Sequence, residues 1–480
     1  MSSPEPDAVP EHNNDVLTLF AALWATAALF HAFGPSARAT GIIHDFSAAG
    51  LGHVLLVVVA LWVLAQPRWL APLVGLAVLG PVTAWQEAPV LGNHWLVVSL
   101  VDLGLLLALA GSRRAGRLET RALAEGFFPV ARWTLVAFYA FAAFAKLNHA
   151  FFDTTVSCSS VYFDETARTL GLSTPLAVGH GGWASLVPIV AAAIEMSIPI
   201  LLCVRRTRAL GVAVGLLFHA AIAIDQEHLF SDFSAVLSAL FVLFLPAAFA
   251  SSIVDVVRRR GRFLVGAWAA LAAMTAIAQW TGGDATAERA FVDGRLWSWV
   301  LLDAAFVVAV GWWLSNPRGA TLSRPLALER GAWWLAIVPV LVIANGVMPY
   351  LELKTAFGFT MYSNLQVADA RSNHLLVPAL ALGKREAGLV RIEASDDPGL
   401  ALYVSSNYLL PRDSLRSYLA RHPAASIRYQ SDGVEHDLAH ASDDPDLTRA
   451  PALAVEKLLP LRAVDGRDPP RCQESFLPAL

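Results

Sequence analysis

Ala184-Ser-Leu-Val-Pro-Ile-Val-Ala-Ala-Ala-Ile-Glu195-Met-Ser-Ile-Pro-Ile-Leu-Leu-Cys-Val204 carries a single charged side chain and closes on Arg205 and Arg206. At about 1.5 Å per residue, a helix of about 20 such residues spans a hydrocarbon core of about 30 Å. Ten further apolar runs are bounded by charged or turn residues: Val16–Phe33, Leu51–Ala65, Leu70–Trp85, His94–Leu109, Val130–Phe151, Ala209–Ile224, Ser231–Ala250, Phe263–Trp280, Leu296–Leu314 and Ala332–Met348. Lipid offers no partner to backbone polar groups, and the runs are too long for barrel strands. They predict an all-α polytopic membrane helix bundle of about eleven transmembrane helices.

Composition points the same way. Of 480 residues, 56% are apolar and 15% charged, against about 45–50% and about 25% in ordinary soluble domains. The net charge of -4 leaves no basic surplus for a nucleic-acid partner. Residues Met1 to Asp15 hold Glu5, Asp7, Glu11 and Asp15 but no Lys or Arg, unlike the start of a cleaved signal peptide. The first apolar run is therefore expected to remain as an anchor.

Orientation follows from arginines in the short connections. Arg68, Arg113, Arg114, Arg117, Arg121, Arg205, Arg206, Arg208, Arg258, Arg259, Arg260, Arg262, Arg318, Arg324 and Arg330 fall in one set of connections, and only Arg38, Arg168, Arg289 and Arg295 in the alternate set. This alternation predicts a cytoplasmic N-terminus and an extracytoplasmic C-terminus in the plasma (inner) membrane. The expected organisation is a cytoplasmic segment 1–15, a transmembrane domain 16–250, additional helices 251–349 and a tail 350–480. After Pro349, strand-like alternation at Leu389–Glu393 and Ala401–Ser406, a Ser-Asp-Gly turn between Ser426–Gln430 and Val434–Leu438, and a capped helix over Asp413–Ala420 predict a small α+β tail. Trp85, Trp95, Trp133, Trp280, Trp297, Trp299, Trp333 and Trp334 stand near span ends, as an interfacial aromatic belt would.

Ionisable side chains inside spans are costly and mark functional candidates. His94, Lys146, Glu195 and His219 qualify. The predicted topology puts His94 at the outer end of its span, with Lys146 and His219 about 7.5 Å below theirs; Glu195 falls near the midplane. Each also has a structural alternative. Lys146 is close enough to the boundary to snorkel, either histidine can satisfy a carbonyl, and Glu195 can pair with Lys146 or a histidine. No two of His94, His149, His219 and His228 have ligand spacing on one helix face, so no metal centre is expected. Cys158, Cys203 and Cys472 lack CxxC spacing. The predicted topology puts Cys158 and Cys472 on the same outer side, which permits a disulfide or two free thiols.

The titratable residues sit in segments that resemble a known family. Tyr139-Ala-Phe-Ala-Ala-Phe-Ala-Lys146-Leu-Asn-His is similar to the catalytic-lysine segment of the vitamin K-dependent gamma-glutamyl carboxylases. Leu217-Phe-His219 with Leu229-Phe-Ser231-Asp-Phe-Ser, Asn93-His94, and His180-Gly-Gly leading to Glu195 resemble other segments of that family, in the same order. The likeness covers about Val16 to Ala250, the carboxylase-like (HTTM) membrane domain that bacterial relatives also carry. Pro349-Tyr-Leu-Glu-Leu-Lys-Thr, Tyr362-Ser-Asn-Leu and Asn373-His374 resemble the tails of bacterial members.

The resemblance implies an enzyme that uses a reduced, vitamin K hydroquinone-like quinone, O2 and CO2 to carboxylate a glutamyl-type protein or peptide substrate at the outer face. Lys146, held neutral, would take the quinol hydroxyl proton. Oxygen addition would yield an alkoxide able to remove the γ-proton before CO2 traps the carbanion. His94 and His219 would donate hydrogen bonds to anionic intermediates, with Glu195, His180 and Asn93 in the pocket. A charged Glu195 beside Lys146 opposes the base role, so it is expected either away from the amine or protonated. A quinone-binding protein or oxidoreductase without carboxylation is the alternative.

Overall fold

The structure is a computed structural model that describes residues 10–33, 48–116, 120–172, 182–225, 230–280, 285–315, 333–380, 382 and 388–473. Thirteen α-helices precede the tail among these residues: α1 Pro10–Ala32, α2 Ala48–Ala65, α3 Leu70–Glu87, α4 Asn93–Arg114, α5 Thr120–Ala145, α6 His149–Phe152, α7 Cys158–Thr169, α8 Leu186–Cys203, α9 Arg208–Ile222, α10 Ser231–Val242, α11 Ala247–Trp280, α12 Ala285–Ser315 and α13 Ile337–Val347.

Six stretches of helix are long and apolar enough to cross a membrane: Asn14–Ala32, Asn93–Arg114, Thr120–Ala145, Leu186–Cys203, Gly294–Ser315 and Trp333–Leu351. Gly50–Ala65, Arg208–Ile222 and Ser231–Val242 are shorter but apolar. The outer surface has the same character. On α2, Leu51, Val54, Leu55, Val58 and Trp62 share one helical face and are 43–58% exposed. On α12, Leu301, Val308 and Trp312 are 65–71% exposed. A soluble monomer rarely leaves such stripes uncovered, whereas lipid solvates them.

The inside of the bundle is built around α1, whose residues from Val16 to Phe33 are almost all buried against α10, α11 and α2. Every residue of α10 is buried. The sequence predicts one span over Ser231–Ala250 and then an arginine-bearing connection. Instead α10 stops at Val242, and a continuous α11 carries Arg258, Arg259, Arg260 and Arg262 within it. Pro246 cannot donate the next helical hydrogen bond, and arginine is a good helix former, so the break falls at the proline. Arg132 of α5 satisfies a carbonyl at that break, donating from Nε to Leu243 O at 2.7 Å.

The tryptophans divide into two groups. Trp85, Trp133, Trp297 and Trp333 are exposed and Trp334 is half-buried, but Trp95 and Trp299 are core residues, and the Trp280 side chain lies outside the described residues. Trp95 donates its indole N–H to Thr83 Oγ1 at 3.2 Å, which satisfies its polar edge inside the bundle.

The tail has two parts. Residues 352–374 lie against the bundle and include the short hairpin of β1 Val367–Ala368 and β2 Arg371–Ser372. Beyond them, an antiparallel sheet of order β6-β5-β3-β4-β7 is formed by β3 Leu389–Ser395, β4 Tyr408–Pro411, β5 Ile427–Ser431, β6 Val434–Leu438 and β7 Val464–Asp465. Asp432 and Gly433, with φ of 51° and 76°, make the tight β5–β6 turn. Helices α14 Pro398–Ser406 and α15 Arg412–Arg421 pack on the sheet, with Val390, Ile392, Leu400, Leu410, Leu415 and Leu419 in the core. The predicted strand at Ala401–Ser406 is therefore a helix. Asp397 accepts from the backbone N–H groups of Gly399 and Leu400, and Pro398 follows it, a start signal that outweighs a short apolar alternation.

Two attachments fix this sheet to the bundle. Cys158 of α7 and Cys472 form a disulfide. Lys457 of α16 (Leu453–Leu458) donates to Trp85 O at 3.0 Å, to Gln86 O at 3.4 Å and to Ala88 O, capping the C-terminal end of α3.

Candidate functional site

Lys146 stands one residue beyond the end of α5, in a turn closed by its own N–H to Ala143 O at 3.1 Å. The tail holds this turn in place. Asn148 donates to Ala145 O at 2.8 Å and to Ser363 O at 2.5 Å, while its Oδ1 caps α6 by accepting from the Phe151 N–H at 2.9 Å. His374 Nε2 donates to Phe144 O at 2.9 Å, and the Leu375 N–H to Leu147 O at 2.8 Å. The tail segments of unassigned role, Tyr362-Ser-Asn-Leu and Asn373-His374, are thus the parts that grip the lysine turn.

The covering segment has an unusual backbone. Glu352, Phe357, Phe359, Tyr362, Asn364, Asp369 and Ala370 all have φ between 35° and 60°. A non-glycine residue in this region costs about 1–2 kcal/mol, and such strain concentrates at functional surfaces. Lys354 helps to hold it: its Nζ donates to Asn345 Oδ1 at 2.6 Å and lies 3.9 Å from the centre of the Phe357 ring. Burial pushes this amine down to about 7 and pushes the Tyr362 phenol above its ordinary range.

The amine of Lys146 meets three acceptors: Glu195 Oε2 at 2.8 Å, Met361 O at 3.0 Å and Ala142 O at 3.4 Å. Both members of the ion pair are buried. Of the two arrangements expected for Glu195, separation from the amine is corrected by this contact. Its helix reaches Lys146 because α8 packs along α5.

His219 is placed by α9. Gly215, one turn earlier, has no room for a Cβ, which would sit 2.2 Å from Phe241 Cζ; the absent side chain lets α9 close on α10. Tyr139 and His219 Nε2 share a short hydrogen bond, and His219 Nδ1 has no hydrogen-bond partner among the described residues.

Lys146, Glu195, Tyr139 and His219 line one cavity of about 530 Å³, whose remaining wall is largely apolar. That volume is ordinary for a small-molecule site. Leu186, Val190 and Phe163 line it as well, and they are exposed on the apolar exterior of the bundle. The cavity therefore opens onto the exposed apolar surface of the bundle. Met361 and Tyr362 of the covering segment complete its wall.

The remaining candidates are arranged differently. His94 does not line this cavity: its ring lies 5.9 Å from Phe233, which in turn lies 5.0 Å from His219, so Phe233 separates the two imidazoles. The expected convergence of one amine and two imidazoles is corrected to one amine and one imidazole, because α10 inserts Phe233 between α4 and α9. Asn93 supports the cover, with its Oδ1 accepting from the Phe359 N–H at 2.9 Å. His180 and His228 lie outside the described residues. Cys203 is free and exposed.

His94 belongs to a second polar cluster that the sequence did not reveal. Its Nε2 is 3.0 Å from Asp232 Oδ2, while Glu87 Oε1 is 2.8 Å from both His31 Nε2 and His53 Nε2. His31 faces Asp232 with its other nitrogen at 3.5 Å and stacks on Trp95 with centroids 3.6 Å apart. No pair of these residues shares a helix, so helix-face spacing had no bearing on them. A usable signal was present, since all five stand at the ends of apolar runs that the predicted topology places on one side. No family model, curated protein or solved structure matches this chain.

Proposed function

We propose that this chain is a membrane-embedded, quinol-dependent enzyme of the vitamin K-dependent carboxylase-like (HTTM) kind, with the Lys146–Glu195 pair as its base. The observation that supports it most is this apolar cavity, in which a lysine–carboxylate pair and an imidazole are the principal titratable groups. A lipophilic quinol can reach such a cavity from the bilayer, and its ring needs the apolar wall. The ion pair is compatible with base chemistry. Moving the shared proton from Lys146 to Glu195 leaves a neutral amine and a neutral acid, with no net charge created in an apolar site. The amine then accepts the quinol hydroxyl proton, and the resulting ammonium lies beside the quinolate. His219, with Nε2 held by Tyr139, offers Nδ1–H to an anionic oxygen. One oxygen atom of O2 would end on the quinone ring and the other in water, and CO2 would trap the carbanion left at a glutamyl γ-carbon.

The finer topology belongs to the same proposal: eleven crossings, the N-terminus cytoplasmic and the tail extracytoplasmic. A helix overlaps each of the eleven apolar runs, and a Cys158–Cys472 disulfide suits an oxidising outer compartment. The deciding experiment supplies purified protein with reduced quinones, O2 and labelled bicarbonate, comparing wild type with Lys146→Met. Lysine-dependent incorporation of label into a glutamyl peptide is expected. Quinol oxidation without carbon incorporation would leave the oxidoreductase alternative, and no lysine-dependent turnover of either kind would end the proposal.

A further inference from the structure

We propose that His31, His53 and Glu87 bind a divalent transition-metal ion in the interior of the bundle, on the far side of Phe233 from the Lys146 cavity. Three helices deliver the ligands, α1, α2 and α3, and all three side chains are buried. Their ligand atoms lie within 4.8 Å of one another, and Glu87 Oε1 is 2.8 Å from each imidazole Nε2. Two imidazoles and one carboxylate form a familiar donor set for zinc or iron(II), one that leaves a coordination position open. A tetrahedral ion with ligands at about 2.0–2.1 Å needs them about 3.3 Å apart, a spread that small side-chain rotations supply.

An imidazolium at His31 donating to both carboxylates and a metal on Nε2 each satisfy these surroundings, and the titration below separates them. If Nε2 of a neutral His31 donates to Glu87, Nδ1 is a bare lone pair facing the Asp232 carboxylate at 3.5 Å. With a metal on Nε2, Nδ1 carries the proton and points it at Asp232, giving the carboxylate–histidine–metal arrangement typical of protein metal sites. His94 holds that carboxylate in turn at 3.0 Å, and Trp95, stacked 11° from parallel, fixes the plane of the His31 ring. The charges also agree. Glu87 and Asp232 bring two carboxylates into the core; the buried Arg295 guanidinium acts on Asp232, and a divalent ion offsets Glu87 without protonating any histidine. Glu87 Oε2 has no hydrogen-bond partner among the described residues, so a second oxygen is available to the ion.

The test uses the full chain purified in detergent, stripped with a chelator and titrated with Co²⁺ while visible absorption is recorded. Expected is a saturable set of d–d bands at one equivalent per chain, displaced by Zn²⁺. Asp232→Asn should weaken binding about 10–100-fold by removing the support of His31, and Glu87→Gln or His53→Gln should abolish the bands. His94→Gln, which removes no ligand, should keep them. Wild type without saturable bands, or Glu87→Gln with unchanged ones, would overturn the site. Should the ligand variants fail to fold, the wild-type titration decides alone. Lys146→Met should bind Co²⁺ like wild type, so this test is independent of whether the quinol chemistry is found.

Discussion

Two polar clusters lie a single phenylalanine apart in this bundle, and they are built on opposite plans. Around Glu87 and Asp232, five titratable side chains from five helices interlock, and the cluster is closed by Trp95 and Phe233. Around Lys146, one ion pair and one tyrosine–histidine pair face a cavity that reaches the outer apolar surface. An interlocked cluster contributes to a unique packing, while a cluster on an open cavity keeps polar capacity in reserve for a ligand. His219 Nδ1, without a hydrogen-bond partner among the described residues, is that reserve, and Glu87 Oε2 is its counterpart in the interlocked cluster.

The comparison can be broken most directly at Lys146. Lys146→Met should lower quinol-dependent turnover by about 10²–10⁴-fold, the usual contribution of a positioned base. Co²⁺ binding by the same variant shows whether the second cluster is untouched. If turnover persists, the open cavity is not the reacting centre.

Stability should rank the clusters the other way. Glu87→Ala strands two imidazoles in the core and is expected to cost about 3–5 kcal/mol, as removal of one buried partner usually does. Glu195→Ala leaves Lys146 unpaired at comparable initial cost, but water entering the cavity should reduce the loss. The Lys146→Met/Glu195→Met pair should be closer to wild type than either single variant. Thermal unfolding in detergent measures both, and equal losses at Glu87 and Glu195 would show that the cavity gives no relief.

A smaller effect separates the members of the open cluster. Tyr139→Phe removes the donor to His219 Nε2 and should cost about 1–2 kcal/mol, with a larger proportional loss in turnover than in quinol binding. Gradual rather than abrupt is a pH effect at the cover. Lys354 is lowered to about 7 by burial, so between about pH 7 and its unfolded value near 10.4 the unfolded chain binds more protons than the folded one. Its destabilising contribution is complete below that window and fades as pH rises through it. Lys354→Met should flatten this part of the stability profile, and an unchanged profile would assign the slope to other groups.

Much of this was legible in the sequence, and the misses have physical causes. Glu195 stood out in a long apolar run, and Lys146 and His219 likewise interrupted theirs, so burial cost alone drew attention to them. His31, His53, Glu87 and Asp232 sit at run ends, where a polar residue looks like a boundary. Their partners lie 56, 34 and 138 residues away along the chain, beyond any local period. Comparing depth among all titratable residues, rather than only the four singled out, would have gathered them on one side. The helix at Pro398–Ser406 was missed for a different reason, because a short apolar alternation was given more weight than an Asp-Pro start. The Pro246 break was missed because hydropathy averages across a proline without registering it.

The covering segment also sets a timetable for biogenesis. Met361 and Ser363, which hold Lys146 and its turn, are translated after the last apolar run, and Cys472 follows later still. An insertion intermediate with all its helices in place therefore still lacks the lid over its amine. A chain truncated before residue 350 should insert its helices stably yet lack the groups that hold Lys146 and its turn.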